Sequence, residues 1–266
     1  WYLVYLSHPP QKMCYCSAEN LNGPWTVFPD RYLDDRFYIS GRVRNDGRRM
    51  FMLGWIPYRE GERDEGGWRW GGHMAVTREV FARTDGSLGI RCLEEIVNAF
   101  REVIIKPGMP VEYEKGTGIW STDNRGVTGS RDDGFAFIKL PQSHDNFYFE
   151  AKVNIESLAT SAGFMFRMSD NIEAGYTLLL EPFARRVAFR DGTGVWEFNP
   201  HIERLLEIQP GKPVKCQVIV EDTTFEAFFD DKIALSTRIY NHKIGRICLF
   251  VQNGKARFED IQLKKL

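Results

Sequence analysis

The sequence predicts an all-β protein built in two parts, and three observations carry that prediction. Short runs of β-branched and aromatic residues alternate with tight turn signals through roughly the first 95 residues. A second series of strand-like runs, several of them alternating apolar and polar, fills the remainder. The only stretch with helical spacing is Leu93 to Arg101, and it is short.

In chain order, Trp1 to Ser7 reads as a strand, His8-Pro9-Pro10-Gln11 as a turn and Lys12 to Ser17 as the returning strand. Asn22-Gly23-Pro24-Trp25 turns again. Arg36 to Arg44 is extended, Asn45-Asp46-Gly47 is a hairpin signal, and Arg49 to Ile56 returns. Trp68 to Thr77 reads as a further strand, and Asp85-Gly86 turns into Leu88 to Leu93. Four-stranded antiparallel blades of about 40–50 residues explain this rhythm, so residues 1–97 hold about two propeller blades. A propeller closes with about 4–8 blades. Two blades alone leave open edge strands, so blades are expected upstream, and the chain is expected to be part of a longer one.

Pro107-Gly108-Met109-Pro110 marks a joint. Beyond it, strands are predicted over 133–140, 147–155, 162–168, 175–181, 186–190, 214–221, 224–229, 233–239, 245–251 and 255–263. Phe147, Phe149, Ala151 and Val153 alternate with Tyr148, Glu150 and Lys152, the pattern of a strand with one buried face. Residues 98–266 are therefore read as a β-sandwich.

Composition narrows the function classes. The formal net charge of -1 over 266 residues gives no electrostatic case for nucleic acid or an anionic membrane surface. No apolar run approaches the ~20 residues of a membrane-spanning helix. Cys14 and Cys16 form a C-x-C on one strand face, but Cys92, Cys216 and Cys248 are single. No second Cys/His pair stands at ligand spacing, so buried reduced thiols are expected and no metal or organic cofactor. Five histidines, at 8, 73, 144, 201 and 242, are scattered, and no serine sits on a nucleophile-elbow motif.

Several strings together resemble one family. Phe37-Tyr38-Ile39-Ser40, Asp46-Gly47-Arg48-Arg49, Gly54-Trp55, Trp70-Gly71-Gly72 and Thr77-Arg78-Glu79 resemble the last propeller blade of glycoside hydrolase family 32, the invertases, levanases, inulinases and related β-fructosidases. Val218 to Phe228, with Glu226 in its second strand, and Ala234 to Tyr240 resemble that family's accessory sandwich. The resemblance implies the C-terminal part of a five-bladed β-propeller followed by a β-sandwich, and a retaining activity on β-fructosides such as sucrose, levan or inulin. The family's nucleophile lies in an N-D-P-N-G motif, its second aspartate in R-D-P and its acid/base in E-C-P. None of these occurs here; Cys14-Tyr15-Cys16 and Pro29-Asp30-Arg31 are the nearest strings and differ in residues and order. Alignment of Trp1 to Ser7 with the fourth blade places the acid/base glutamate shortly before residue 1. The catalytic residues are thus expected upstream of Trp1, and the chain alone is expected to be inactive.

Retaining hydrolysis needs two carboxylates about 5 Å apart, one with a raised pKa. Asp34/Asp35, Glu60/Glu62, Asp64/Glu65 and Asp132/Asp133 are adjacent enough to consider, and all are read as solvated loop charge. Tyr38, Trp55 and Trp70 are the candidates for substrate contact, with Trp68 behind them, because aromatic faces stack on the apolar faces of sugar rings. The competing reading for each is packing between blades. Arg42 and Arg59 are polar neighbours that could take hydroxyls or pair with acids from absent blades, with surface salt bridging the favoured reading, and for His73 core or rim filling is the default. Trp120, Tyr176, Trp196 and Phe198 are a second aromatic set in the sandwich, for which core packing is the favoured reading. The partners implied are a carbohydrate ligand and the absent N-terminal propeller blades.

Overall fold

In the computed structural model of the protein, which describes residues 1–156, 159–192 and 200–266, turn chemistry becomes hairpins at the expected places. The chain forms two compact units, one of Trp1–Ala99 with Thr224–Tyr240 and one of Phe100–Thr223 with Asn241–Leu266.

In the first unit, β1 (Tyr2–Ser7) and β2 (Lys12–Ser17) form an antiparallel hairpin. Bridges from Cys14 to Tyr32 and from Ser17 to Thr26 extend it. The next strands are β3 (Ile39–Asn45), β4 (Met50–Pro57), β5 (Gly72–Met74), β6 (Arg78–Ala82) and β7 (Leu88–Cys92). They form a sheet in the order β3-β4-β6-β7, with β5 paired to the end of β4. The β3–β4 turn is made by Asp46, whose Oδ1 accepts the backbone N–H groups of Arg48 and Arg49 at 2.9 and 2.8 Å. A short helix, α1 (Glu94–Ala99), ends this stretch within the window of helical spacing. The hairpin of β18 (Thr224–Phe229) and β19 (Ile233–Arg238) completes the unit.

The strand read over Trp68 to Thr77 is shorter than expected. Only Gly72 to Met74 pairs, and a separate strand begins at Arg78. Arg69, before β5, has φ 59 and Gly72, its first residue, φ 145, so the chain enters β5 out of the pleat. A Cβ on Gly72 would lie 2.5 Å from the Ile56 carbonyl oxygen, so this position needs glycine.

The second unit contains β8 (Glu102–Ile105), β9 (Glu114–Thr117), β10 (Ile119–Thr122), β11 (Gly126–His144), β12 (Phe147–Ile155), β13 (Ser161–Met168), β14 (Tyr176–Glu181), β15 (Arg186–Asp191), β16 (Ile202–Leu205), β17 (Val214–Glu221) and β20 (Gly245–Lys265). The strands read separately over 245–251 and 255–263 are one 21-residue strand, β20. Asn253 (φ 48) and Gly254 (φ 155) form a bulge rather than a turn. Gly134 N–H donates to the Asn253 side chain at 2.7 Å, and the β11–β20 register breaks opposite, between Arg131 and Phe135. On one side of this break β20 pairs with β13, on the other with β12. The sheet therefore folds over on itself and brings Phe149 of β12 against Phe164 of β13, ring centroids 4.9 Å apart. Phe147, Phe149, Phe164, Phe166 and Phe258 are fully buried in this sandwich core.

The molecule is all-β, as the sequence predicts. Among the described residues, no helix is long and apolar enough to cross a membrane.

Candidate functional site

Between β4 and β5 the chain leaves the sheet in a polar, glycine-rich loop. Tyr58 (φ 117), Glu60 (φ 36) and Arg69 (φ 59) all take positive φ there. This loop and the neighbouring chain border an open-sided cavity of about 400 Å³, lined by Gln11, Ile39, Pro57, Tyr58, Glu60, Gly61, Arg69 and Trp70. Trp70 forms its most exposed aromatic wall, with 73% of its surface in water. Trp55, half-buried on β4, meets Trp70 edge to face with centroids 6.3 Å apart. Tyr58 is held edge to face on buried Phe37 at 5.5 Å. Arg69 Nε donates to Glu60 Oε2 at 2.5 Å, setting a guanidinium–carboxylate pair beside the indole. Both members are largely exposed, so the pair adds little to stability. What it offers is donors and acceptors next to an aromatic face, the combination that sugar hydroxyls and ring faces require.

The other candidates separate from this cavity. Tyr38 is fully buried and exposes no atom to a ligand, which removes it from the substrate wall in favour of the packing reading. Its ring lies under the Arg78 guanidinium, 4.0 Å from ring centroid to Cζ, and Gly54 leaves the space for it. Trp68 carries the guanidinium of Arg59 at 3.9 Å and that of Arg238 at 4.9 Å. With cations on its π-system, Trp68 is a packing element. His73 sits edge-on to Trp68, and its Nδ1 lies 2.6 Å from Arg238 Nη1. Arg42 borders a different, apolar groove with Tyr2, Val43, Met50 and Phe81.

In the second unit, Trp120 is buried against Phe258 and donates from Nε1 to the Thr117 carbonyl oxygen at 2.8 Å. Tyr176 is buried and stacks on Phe189 at 5.7 Å. Both are core residues. Trp196 and Phe198 lie outside the described residues.

The carboxylate pairs also resolve. Glu60/Glu62, Asp64/Glu65 and Asp132/Asp133 lie on exposed or half-buried backbone. Asp34 and Asp35 do not, and the expectation of solvated charge fails there: they are 0% and 4% exposed. Asp34 Oδ2 meets Arg78 Nη1 at 2.5 Å, and Arg78 Nη2 reaches Glu226 Oε2 at 2.5 Å. Arg78 is itself fully buried; burial opposes its charge, yet Asp34, Tyr38 and Glu226 together raise its pKa. Burial pushes the Glu226 carboxyl up to about 7 despite the Arg78 charge beside it. This ionic cluster is absent from the sequence reading. Its signal was Glu226 within the apolar run Phe225 to Phe229, where a charge demands a partner.

The five cysteines are buried and form no disulfide. Among the described residues, no three His, Cys, Asp or Glu side chains gather as a metal site would need.

No family model matches the chain. In sequence it is similar to a levanase of Bacillus sp. (strain L7), 25% identical over 158 residues, which is 55% of this chain and 17% of the levanase. In structure it is similar to an exo-inulinase from Aspergillus awamori, with TM-score 0.65 and 14% identity over 95% of this chain and 49% of that one. A glycoside hydrolase family 32 structure from Bifidobacterium adolescentis follows the same course, with TM-score 0.57 and 16% identity over 96% of this chain and 36% of that one. The fold is that of the C-terminal portion of family 32 glycoside hydrolases.

A carbohydrate-binding module of family 66 from Bacillus subtilis is similar over 60% of this chain and 97% of its own length, with TM-score 0.53 and 20% identity. The chain thus spans about half or less of the enzymes it resembles, and nearly the whole of the binding module. Within this family 32-like frame, the aromatic cavity belongs to the first unit, which carries the tryptophan-rich stretch from Tyr38 to Met74.

Proposed function

We propose that the chain is the carbohydrate-engaging C-terminal portion of a family 32-like β-fructosidase, with residues 1–97 as the last blades of its propeller and 98–266 as its accessory sandwich. The observation that carries this reading is the cavity of about 400 Å³ lined by Trp70, which Trp55 meets edge to face, and by the Glu60–Arg69 pair. Likeness to a levanase and an exo-inulinase supports a fructoside as the ligand. The whole protein's activity, on substrates of the sucrose, levan or inulin type, rests on carboxylates in blades upstream of Trp1.

This chain's own carboxylates support that division. Asp34 and Glu226 are sealed around Arg78, where no substrate reaches them. The remaining pairs, Glu60/Glu62, Asp64/Glu65 and Asp132/Asp133 within β11, stand at exposed or half-buried positions. Incubation of the purified chain with sucrose or levan is expected to release no fructose. Release above a heat-treated control refutes the assignment of catalysis to upstream blades.

The second reading is a non-catalytic binding module, favoured by the likeness to nearly the full length of a carbohydrate-binding module. It predicts saturable fructan binding that weakens in Trp55→Ala and Trp70→Ala and needs no other chain. If the first reading holds, the upstream blades added in trans restore turnover; under the second they do not.

A further inference from the structure

Arg78 is a buried cation with two carboxylate partners, so the cluster holds one negative charge in excess when both are ionised. The two carboxylates are solvated unequally by the protein. Asp34 accepts four hydrogen bonds, from Arg78 Nη1, Ser236 Oγ and the backbone N–H groups of Asp35 and Ser236. Glu226 accepts two, from the Val76 N–H and from Arg78 Nη2. The excess charge therefore weighs on Glu226, whose carboxyl burial pushes up to about 7. The charged and titratable groups facing Glu226 are Arg78 from β6, and Asp34 and Tyr38 from the segment before β3. Phe228 lies against Arg78 without adding charge.

The same hairpin reaches the strands under the cavity. Glu226 on β18 holds the Val76 N–H, between β5 and β6, at 2.7 Å. Arg238, at the end of β19, donates from Nε to the Ile56 carbonyl oxygen at 2.9 Å and meets His73 through Nη1. Ile56 and His73 are direct partners in the β4–β5 ladder, one step from Trp55 and Pro57. Gly72 in that ladder has space for no side chain against Arg238 Nη2.

We propose that Glu226, Arg78 and Asp34 form a pH-sensitive latch that holds the β18–β19 hairpin against the β4–β5 ladder and so positions Trp55 and Trp70. With Glu226 protonated the cluster is neutral and closed. Loss of that proton leaves the excess charge buried, and the hairpin relaxes to admit water. Arg238 then loosens from Ile56 and His73, and the aromatic wall loses its anchor. The consequence for sugar affinity rests on the proposed function; the latch itself is measurable without a ligand.

The test is amide hydrogen exchange of the full chain from about pH 5.5 to 8.5, corrected for intrinsic rates, at residues 50–57 and 72–76. Protection there is expected to fall in the wild type by up to about tenfold per pH unit, the limit for one linked proton. It is expected to stay level in Glu226→Gln, which removes the titrating group while keeping an acceptor. Asp34→Asn removes the excess charge from the other side and is expected to level the profile too, so the test survives if one variant fails to fold. A level wild-type profile, or a fall of equal size in both variants, overturns the latch. Calorimetry with inulin supplies the second arm: affinity is expected to weaken over the same range in the wild type and hold in Glu226→Gln. Binding that ignores pH in the wild type overturns the positioning of the wall. No inulin binding at any pH, with exchange still following Glu226, refutes the sugar reading and supports the latch alone.

Discussion

Tyr38 buries its hydroxyl with no hydrogen-bond partner among the described residues, while its ring packs on Arg78. An unsatisfied buried polar atom costs stability, so Tyr38→Phe is expected to raise unfolding free energy by about 1 kcal/mol. Tyr38→Ala removes the ring as well and is expected to cost about 3–5 kcal/mol. Urea denaturation of the three proteins checks both signs. Gly54 is tied to the same ring: a Cβ there would lie 2.6 Å from Tyr38 Cζ. Gly54→Ala is expected to destabilise by about 1–3 kcal/mol through overpacking. At this scale the sequence marks Tyr38 as special but not how. An aromatic residue before a glycine-bearing strand fits a pocket wall and a packed ring equally well, and only the burial of the neighbouring strands decides. Trp70 is the opposite case: it meets Trp55 edge to face and leaves 73% of its surface in water.

At the scale of elements, the buried cluster gives the first unit its own pH dependence. The folded-state pKa of Glu226 is raised, by burial first, from an ordinary 4.5 to about 7. A group raised on folding contributes stability that is complete below its unfolded pKa and is lost as pH rises through the folded one. Stability is therefore expected to decline between about pH 4.5 and 7 relative to Glu226→Gln, a difference read from urea midpoints across that range. Arg78→Met leaves Asp34 and Glu226 buried without a counter-charge and is expected to cost about 3–5 kcal/mol. In the second unit His144 titrates with the opposite sign. Burial, and then Lys265, lower its pKa from 6.5, so its contribution is complete above that pH and lost on acidification. Most strands were legible from alternation and turn residues. β20 was not legible as one element, because Asn253-Gly254 reads locally as a turn, and only the pairing of Gly134 with Asn253 makes it a bulge. The start of β6 at Arg78 was hidden for a related reason: a buried arginine breaks the apolar pattern unless its partners, far apart in sequence, are known.

For the whole molecule, the all-β class and the likeness to family 32 follow from local strings that survive at low identity: hairpin turns, the Gly54-Trp55 strand and the Glu226 strand pair. The site was half legible. Trp55 and Trp70 come together, whereas the pairing of Glu60 with Arg69 depends on a loop conformation with several positive φ angles that residue types alone do not specify. The central claim is that this chain engages a fructan through the aromatic cavity, and calorimetric titration of inulin into the wild type and Trp70→Ala tests it most directly. Trp70 is 73% exposed, so its removal leaves the fold's unfolding midpoint in place. The account predicts saturable heat with the wild type and an affinity about two- to tenfold weaker in the variant, the range expected for one stacked aromatic. No heat with the wild type, or equal affinity in the two proteins, contradicts it.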